Sequence, residues 1–583
     1  MMAGRAGVLV FCLLANLAQA QTDPAELRGL NRAGAGQLAL RLLDRDQPDY
    51  FSDPAAWMVW ERERLGLLEV SGRWHELIER ADHLPKGLPV DFLRWVDSRK
   101  ALALLESAQG HKARELLRDL IWDVRQRPSA EELSLWRQMI IRSYLIDGLD
   151  ADAANAMLRY RQDHGPGDER FRALRARLLL RQGRAEEAVR SLRGAKASQA
   201  RVLALWAGFQ AGVLDASNAR NQAKSLVSAL GDRPDLQSAA LQLQAQAESR
   251  LGLTRERLHS LESALVLGGG ADPLYPLAAE DLWSAYRQEG ERLANAMRLL
   301  RGKDEVWFRS ASERIEGASQ EARAMLAVVA GSAVSQRSRR RAHDAIAASI
   351  PSTDDELLLA LYAGLEPKGL SDALRRRIAD ALLANGKVGQ ASNWLVDIDA
   401  ASAGPDAWQD ELLRARVLLL GGHKEAGLAA LRGLTERGEV WDAGQVDRFL
   451  QVLFDLQALG LHDPALAFLR GLGQRKLDTQ TRRELFFWMA ESHGALGQQE
   501  QAALWYLRSA SWPDPAALDP WAQTARFHAA AALGRAGLLE DATEQYRRLL
   551  RVARSEERKQ ALRRELEQLR LRALREERSE EAP

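Results

Sequence analysis

A glycine followed five residues later by an alanine recurs through the C-terminal half of this chain, at Gly386/Ala391, Gly421/Ala426, Gly460/Ala465, Gly497/Ala502 and Gly537/Ala542. Successive alanines lie 35, 39, 37 and 40 residues apart, the period of a two-helix unit that buries its apolar side only by stacking on its neighbours. The residue types fit that geometry. Glycine ends the first helix with a left-handed cap, and alanine lets the second helix approach the first. A bulkier residue four positions on then fills the groove between them; Leu395, Leu469, Tyr506 and Tyr546 stand there. The best-formed phrases are Gly497 to Tyr506, GQQEQAALWY, and Gly537 to Tyr546, GLLEDATEQY.

Upstream, the same plan is looser. Trp57, Trp60, Leu65 and Leu68 make one helical face, Gly72 breaks it, and Trp74, Leu77 and Ile78 begin the next. Gly110 divides two apolar helical stretches, and Gly148/Ala153 and Gly183/Ala188 repeat the motif with their alanines 35 residues apart. Gly212 and Gly252 are turn glycines of degenerate copies, with Ser217 and Arg257 where the small residue belongs. The run Gly268-Gly269-Gly270-Ala271-Asp272-Pro273 predicts a hinge or long loop. A hairpin is expected around Gly290, the register of Trp307 to Ile350 stays open, and Pro351 restarts the pattern. No stretch alternates at period two, and 18 prolines in 583 residues favour helices over strands. The expected organisation is 1–20 as a cleaved signal, 21–267 and 351–554 as two sets of repeats, 268–350 as an irregular connection, and 555–583 as a charged helix. In that last helix Leu562, Leu566, Leu569 and Ala573 form one stripe, which suits a cap over the final repeat, with a coiled-coil tail as the alternative.

GQQEQAALWY and GLLEDATEQY, with the phrases at Gly148 and Gly183, resemble the inter-helix turn and second helix of the tetratricopeptide repeat (TPR) family, in a degenerate form of secreted bacterial type. Ala490 and Ala530 stand where the family's first-helix glycine lies. The resemblance implies an all-α fold, a right-handed superhelical solenoid of helix-turn-helix repeats whose concave groove binds proteins or peptides without catalysis. It also nominates inner-face residues on the first helices. These are Arg376, Trp408, Phe487, Glu491, Phe527 and Arg535 as partner-binding residues, accompanied by Asp380, Glu411, Asp447, Phe454 and Glu484. The mix is aromatic and acidic and lacks the Lys and Asn pattern with which some members clamp a C-terminal carboxylate.

The N-terminus reads as an export signal: Arg5, then the apolar run Ala6 to Ala18, then Ala18-Gln19-Ala20, which predicts cleavage after Ala20. The run is too short to span a bilayer comfortably, so no integral membrane segment is expected afterwards. The expected location is periplasmic, with peripheral association with the outer membrane as a variant. Cys12 is the only cysteine, so the exported chain holds no disulfide, thiolate nucleophile or Cys-ligated metal. A formal net charge of +1, or 0 without Arg5, offers no global field for nucleic acid.

Motifs for catalysis, cofactors or metals are absent. There is no HExxH, GxxxxGK or GxSxG, and His423, His462 and His528 are read as surface or packing residues. Glu491-Ser492 matches the opening of the catalytic motif of lytic transglycosylases, but the downstream Gly-Leu-Met-Gln is missing. A cell-wall enzyme therefore trails the other readings. The basic run Arg337 to Arg341 and the cluster Arg375 to Arg377 either grip an anionic polymer or lipid head group or are solvated faces paired with Asp354, Asp355 and Asp380. The leading functional reading is a non-enzymatic scaffold for envelope proteins, in assembly, secretion or surface-polymer export. A carbohydrate-binding or polymer-guiding protein using the 16 tryptophans is the alternative.

Overall fold

The computed structural model describes residues 24–33, 35–123, 127–231, 233–268, 274–317, 319–398, 407–437, 440–516 and 518–580. The expected signal, residues 1–20, and residues 269–273 of the glycine run lie outside them. Among the described residues there are thirty α-helices, two short 3-10 helices and no strand. The contacts divide the chain into two units, residues 1–328 and 329–583.

Unit 1 is built on six consecutive hairpins. Their first helices are Pro54–Val70, Val90–Glu106, Ala130–Ile146, Glu169–Arg181, Ser198–Gln210 and Pro234–Arg250. Each of these touches its own second helix, and each of the first five also touches the first helix of the next hairpin, which is how a hairpin array buries a continuous core. Ala153 and Ala188 are fully buried and Gly148 and Gly183 have φ of 75° and 71°, as the repeat phrase predicts.

Gly290 departs from expectation. It lies inside the Ala279–Ala296 helix, and a Cβ there would come within 2.2 Å of the Ala324 carbonyl oxygen. This glycine permits close helix packing and does not make a turn. The unassigned stretch that follows holds the helices Asp304–Ser312, Ser319–Ser332 and Gln336–Ala348.

Unit 2 continues with hairpins whose first helices are Asp372–Ala384, Ala407–Leu420, Ala443–Ala458, Thr479–Ala495 and Pro520–Arg535. The phrase GQQEQAALWY forms the turn and most of the Gln499–Ser511 helix. Gly497 has φ of 77°, and the Gln498 N–H donates back to His493 O at 2.9 Å, the six-to-one bond of a glycine-capped helix end. Ala391, Ala465, Ala502 and Ala542 are fully buried. The second copy is shifted by one residue. Gly422, with φ of 93°, makes the turn there, and Gly427, not Ala426, takes the close-contact position, where a Cβ would lie 2.6 Å from Leu419 Cγ.

The Glu556–Glu580 helix lays Leu562 and Leu569 into the core of the last hairpin, and Gly534 leaves room for Leu569. The cluster Arg375 to Arg377 is largely structural. Arg375 donates to the Trp394 carbonyl at 3.1 Å and to the Val396 carbonyl, and Arg377 donates to Ile350 O at 2.7 Å and pairs with Asp355 at 3.4 Å. The two guanidiniums thus occupy carbonyls at helix ends, where cations are favoured. In the run at Arg337, Arg337 and Arg339 are exposed on the Gln336–Ala348 helix.

That helix also holds His343 beside the buried Tyr362. His343 Nδ1 lies 3.3 Å from the Tyr362 hydroxyl, which donates to the His343 carbonyl at 3.2 Å. Burial depresses the imidazole to about 4. Because the folded value is lowered, the contribution is fully present above the unfolded pKa of about 6.5 and is lost as pH falls toward 4. Stability should therefore decline over that window by up to about 3 kcal/mol from this residue. Urea titrations at stepped pH should show a shallower acid slope in His343→Gln than in the native chain.

Candidate functional site

The nominated inner-face residues separate into two groups. Trp408 is buried edge-on against Trp441, with ring centroids 5.3 Å apart, and Glu411 is buried in an ion pair with Arg414 at 2.6 Å. Both are core groups and neither is open to a partner. Arg376 is half-buried, while Asp380 and Asp447 are exposed.

The last three first helices form a cluster. Asp478 caps the Thr479–Ala495 helix by accepting from Thr481 N at 2.9 Å, and Asp519 caps the Pro520–Arg535 helix by accepting from Ala522 N at 2.6 Å. Arg483 reaches from the first of these helices to Asp519 at 2.7 Å, so the two are held in register at their starts. This places Phe487 among three rings, with centroids 5.2 Å from Tyr506, 5.2 Å from Trp521 and 5.4 Å from His528. Trp488 packs on Phe454 of the preceding first helix at 4.3 Å, and Phe527 packs on Tyr546 at 5.5 Å. Phe454, Phe487, Trp488, Trp521, Phe527 and His528 are each half-buried. They make a strip of ring edges and faces across three consecutive hairpins.

Glu491 sits in this strip. The Tyr506 hydroxyl donates to its carboxylate, and His528 Nδ1 lies 3.8 Å from Oε1. Burial, and then the bond to Glu491, push the Tyr506 hydroxyl well above its usual pKa, so it remains a donor. Carboxylate oxygens accept more than one bond, and the half-buried Glu491 can take a donor from a bound chain. Arg535, exposed at the end of its helix, donates to Gln499 Oε1 at 2.8 Å.

Three members of the strip escaped sequence reading. Trp488 and Trp521 were indistinguishable from core tryptophans, and His528 was read as a surface or packing residue. For two of them the signal is position on a first helix beside a nominated residue: Trp488 follows Phe487, and His528 follows Phe527.

No family model matches the chain, and no curated protein does. Solved structures resemble it only in outline. The pentatricopeptide repeat protein PPR10 from maize is 14% identical over 94% of this chain and 90% of its own, with a TM-score of 0.26. The P58(IPK) TPR domain is 11% identical over 76% and 99%, at 0.19, and yeast Tom70 is 9% identical over 83% and 97%, at 0.22. Superposition at that level is too loose to transfer a binding site. The fold stands on the helical hairpins themselves: this is an all-α repeat protein.

Proposed function

We propose that the chain is a non-catalytic scaffold of the periplasm, exported by its N-terminal signal, which holds partner proteins of the cell envelope on the aromatic strip of unit 2. The observation that carries this reading is the run of half-buried rings over three hairpins, with Glu491 set among them. Half-buried aromatics supply large contact area at low entropic cost and dominate binding energies where they fill a partner's pockets. Assembly, secretion or polymer export are the settings such a scaffold serves. Among the described residues no helix is long and apolar enough to cross a membrane.

In-cell crosslinking from the strip, followed by identification of bound proteins, tests the reading directly. The double variant Phe487→Ala, Phe527→Ala should weaken capture of the crosslinked partner by about thirty-fold, as loss of a hot spot does, while circular dichroism keeps its helical amplitude. Gross loss of helicity would return both rings to the core. Recovery of glycan without protein would promote the polymer-guiding alternative, for which the exposed faces of Trp122 and Trp512 are the available platforms.

A further inference from the structure

Unit 1 carries a second site, separate from the aromatic strip and of different chemistry. Its first helices line a cavity of about 580 Å³, within the size range of ligand pockets. Arg99, Arg142, Arg170, Arg177 and Arg233 face it, against only three carboxylates, Glu69, Glu106 and Asp235. Those carboxylates already pair with Arg99 at 3.3 Å, Arg142 at 2.7 Å and Arg233 at 3.3 Å. The lining is therefore net positive although the chain as a whole is near neutral.

The positive charge is crowded. Burial, with the guanidiniums of Arg142 and Arg181 nearby, lowers the Arg177 pKa against the opposing pull of Tyr275 and Glu106. Burial also lowers that of Arg99, with Arg62 adding to the effect and Glu69 opposing it. One buried donor of this region, the Tyr275 hydroxyl, has no hydrogen-bond partner among the described residues, whereas Arg99 Nε faces Glu69 at 3.3 Å. Such a group is costly unless an acceptor reaches it. The rest of the lining is mostly apolar, with Leu135 exposed and Leu102 and Leu174 half-buried, and adds the polar Ser98, Gln138 and Gln199.

We propose that this cavity binds an acidic peptide segment of a partner protein, its carboxylates on the arginines and its aliphatic side chains on the leucines. Guanidinium forks match carboxylates in geometry as well as charge. Among the described residues no aromatic side chain lines the cavity, so sugar rings find no aromatic platform there.

The test uses the full chain and a fluorescein-labelled peptide of repeated Glu-Leu-Gly, read by anisotropy. The acidic peptide should bind at least about ten-fold more tightly than its Gln-for-Glu counterpart, and its affinity should fall as salt is raised. The double variant Arg170→Glu, Arg233→Glu changes two exposed side chains and should lower affinity at least about ten-fold, whereas Arg170→Lys should retain most of it. Equal binding of the acidic and neutral peptides by the native chain would overturn the proposal without reliance on any variant. So would tighter binding of polygalacturonate or oligouridylate than of the peptide. Loss of strip-dependent partner capture in Phe487→Ala, Phe527→Ala leaves peptide binding here unchanged, so the two sites are tested separately.

Discussion

Arg323→Met should lower the stability of unit 1 by about 3–5 kcal/mol, the cost of stranding one member of a buried ion pair. Arg323 and Glu262 are 3% and 4% exposed, and the guanidinium donates to the carboxylate through two nitrogens, at 2.7 and 3.1 Å. Tyr286, completely buried, donates its hydroxyl to the same carboxylate and accepts from Arg323 Nε at 3.2 Å. Burial, and then the neighbouring Glu262 charge, push that hydroxyl well above its usual range. The three residues come from the Thr254–Val266, Ala279–Ala296 and Ser319–Ser332 helices, so the network ties together elements far apart in sequence. Removing the arginine leaves a buried carboxylate with, among the described residues, the Tyr286 hydroxyl and a weak contact from Gln320 at 3.5 Å. Urea unfolding followed at a helical signal should show the loss as a lower midpoint. The double variant Arg323→Met, Glu262→Leu should recover part of it, since no charge is then stranded. A single variant as stable as the native chain would mean that the pair is hydrated in solution.

Ending the chain at Arg554 should cost about 3–6 kcal/mol in the last hairpin, from the lost burial of two leucines at about 1.5–3 kcal/mol each. Leu562 and Leu569 are 1% and 6% exposed and pack with Leu533, Tyr546 and Leu549. Without them the final repeat presents an apolar face to water, which a terminal cap exists to prevent. Thermal unfolding should move to lower temperature while light scattering reports the same mass as the full chain. A halved mass with unchanged unfolding would assign the helix to self-association instead.

The repeat architecture was legible because its signal is local. A glycine in the left-handed region and an alanine at a helix crossing are needed whatever surrounds them, and Gly497/Ala502 and Gly537/Ala542 meet both conditions in the structure. The copy at Gly421 was misread by one residue because GGHKEAG offers two glycines for the turn and two small residues for the contact. Only the approach of Leu419 to Gly427 decides between them. Gly290 was misread for a related reason. Glycine serves a tight turn and a tight helix contact equally well, and the choice rests on the Ala324 backbone, 34 residues away.

The two candidate sites divide along the same line. Phe487, Glu491 and Phe527 could be nominated because repeat position alone places them on a first helix. Trp408 and Glu411 were nominated by the same rule and are buried, because burial depends on what packs above a residue and not on its register. The arginine-lined cavity left no mark in composition, since a net charge near zero averages it away. By itself the sequence determined that the chain is helical and repeated, through residue types that act within one or two turns of helix. Which side chains meet across hairpins was decided only by tertiary structure: the Glu262, Tyr286 and Arg323 network, the ring strip around Phe487 and the five gathered arginines. Each assembles groups from separate helices, whose stacking sets distances that no local pattern encodes.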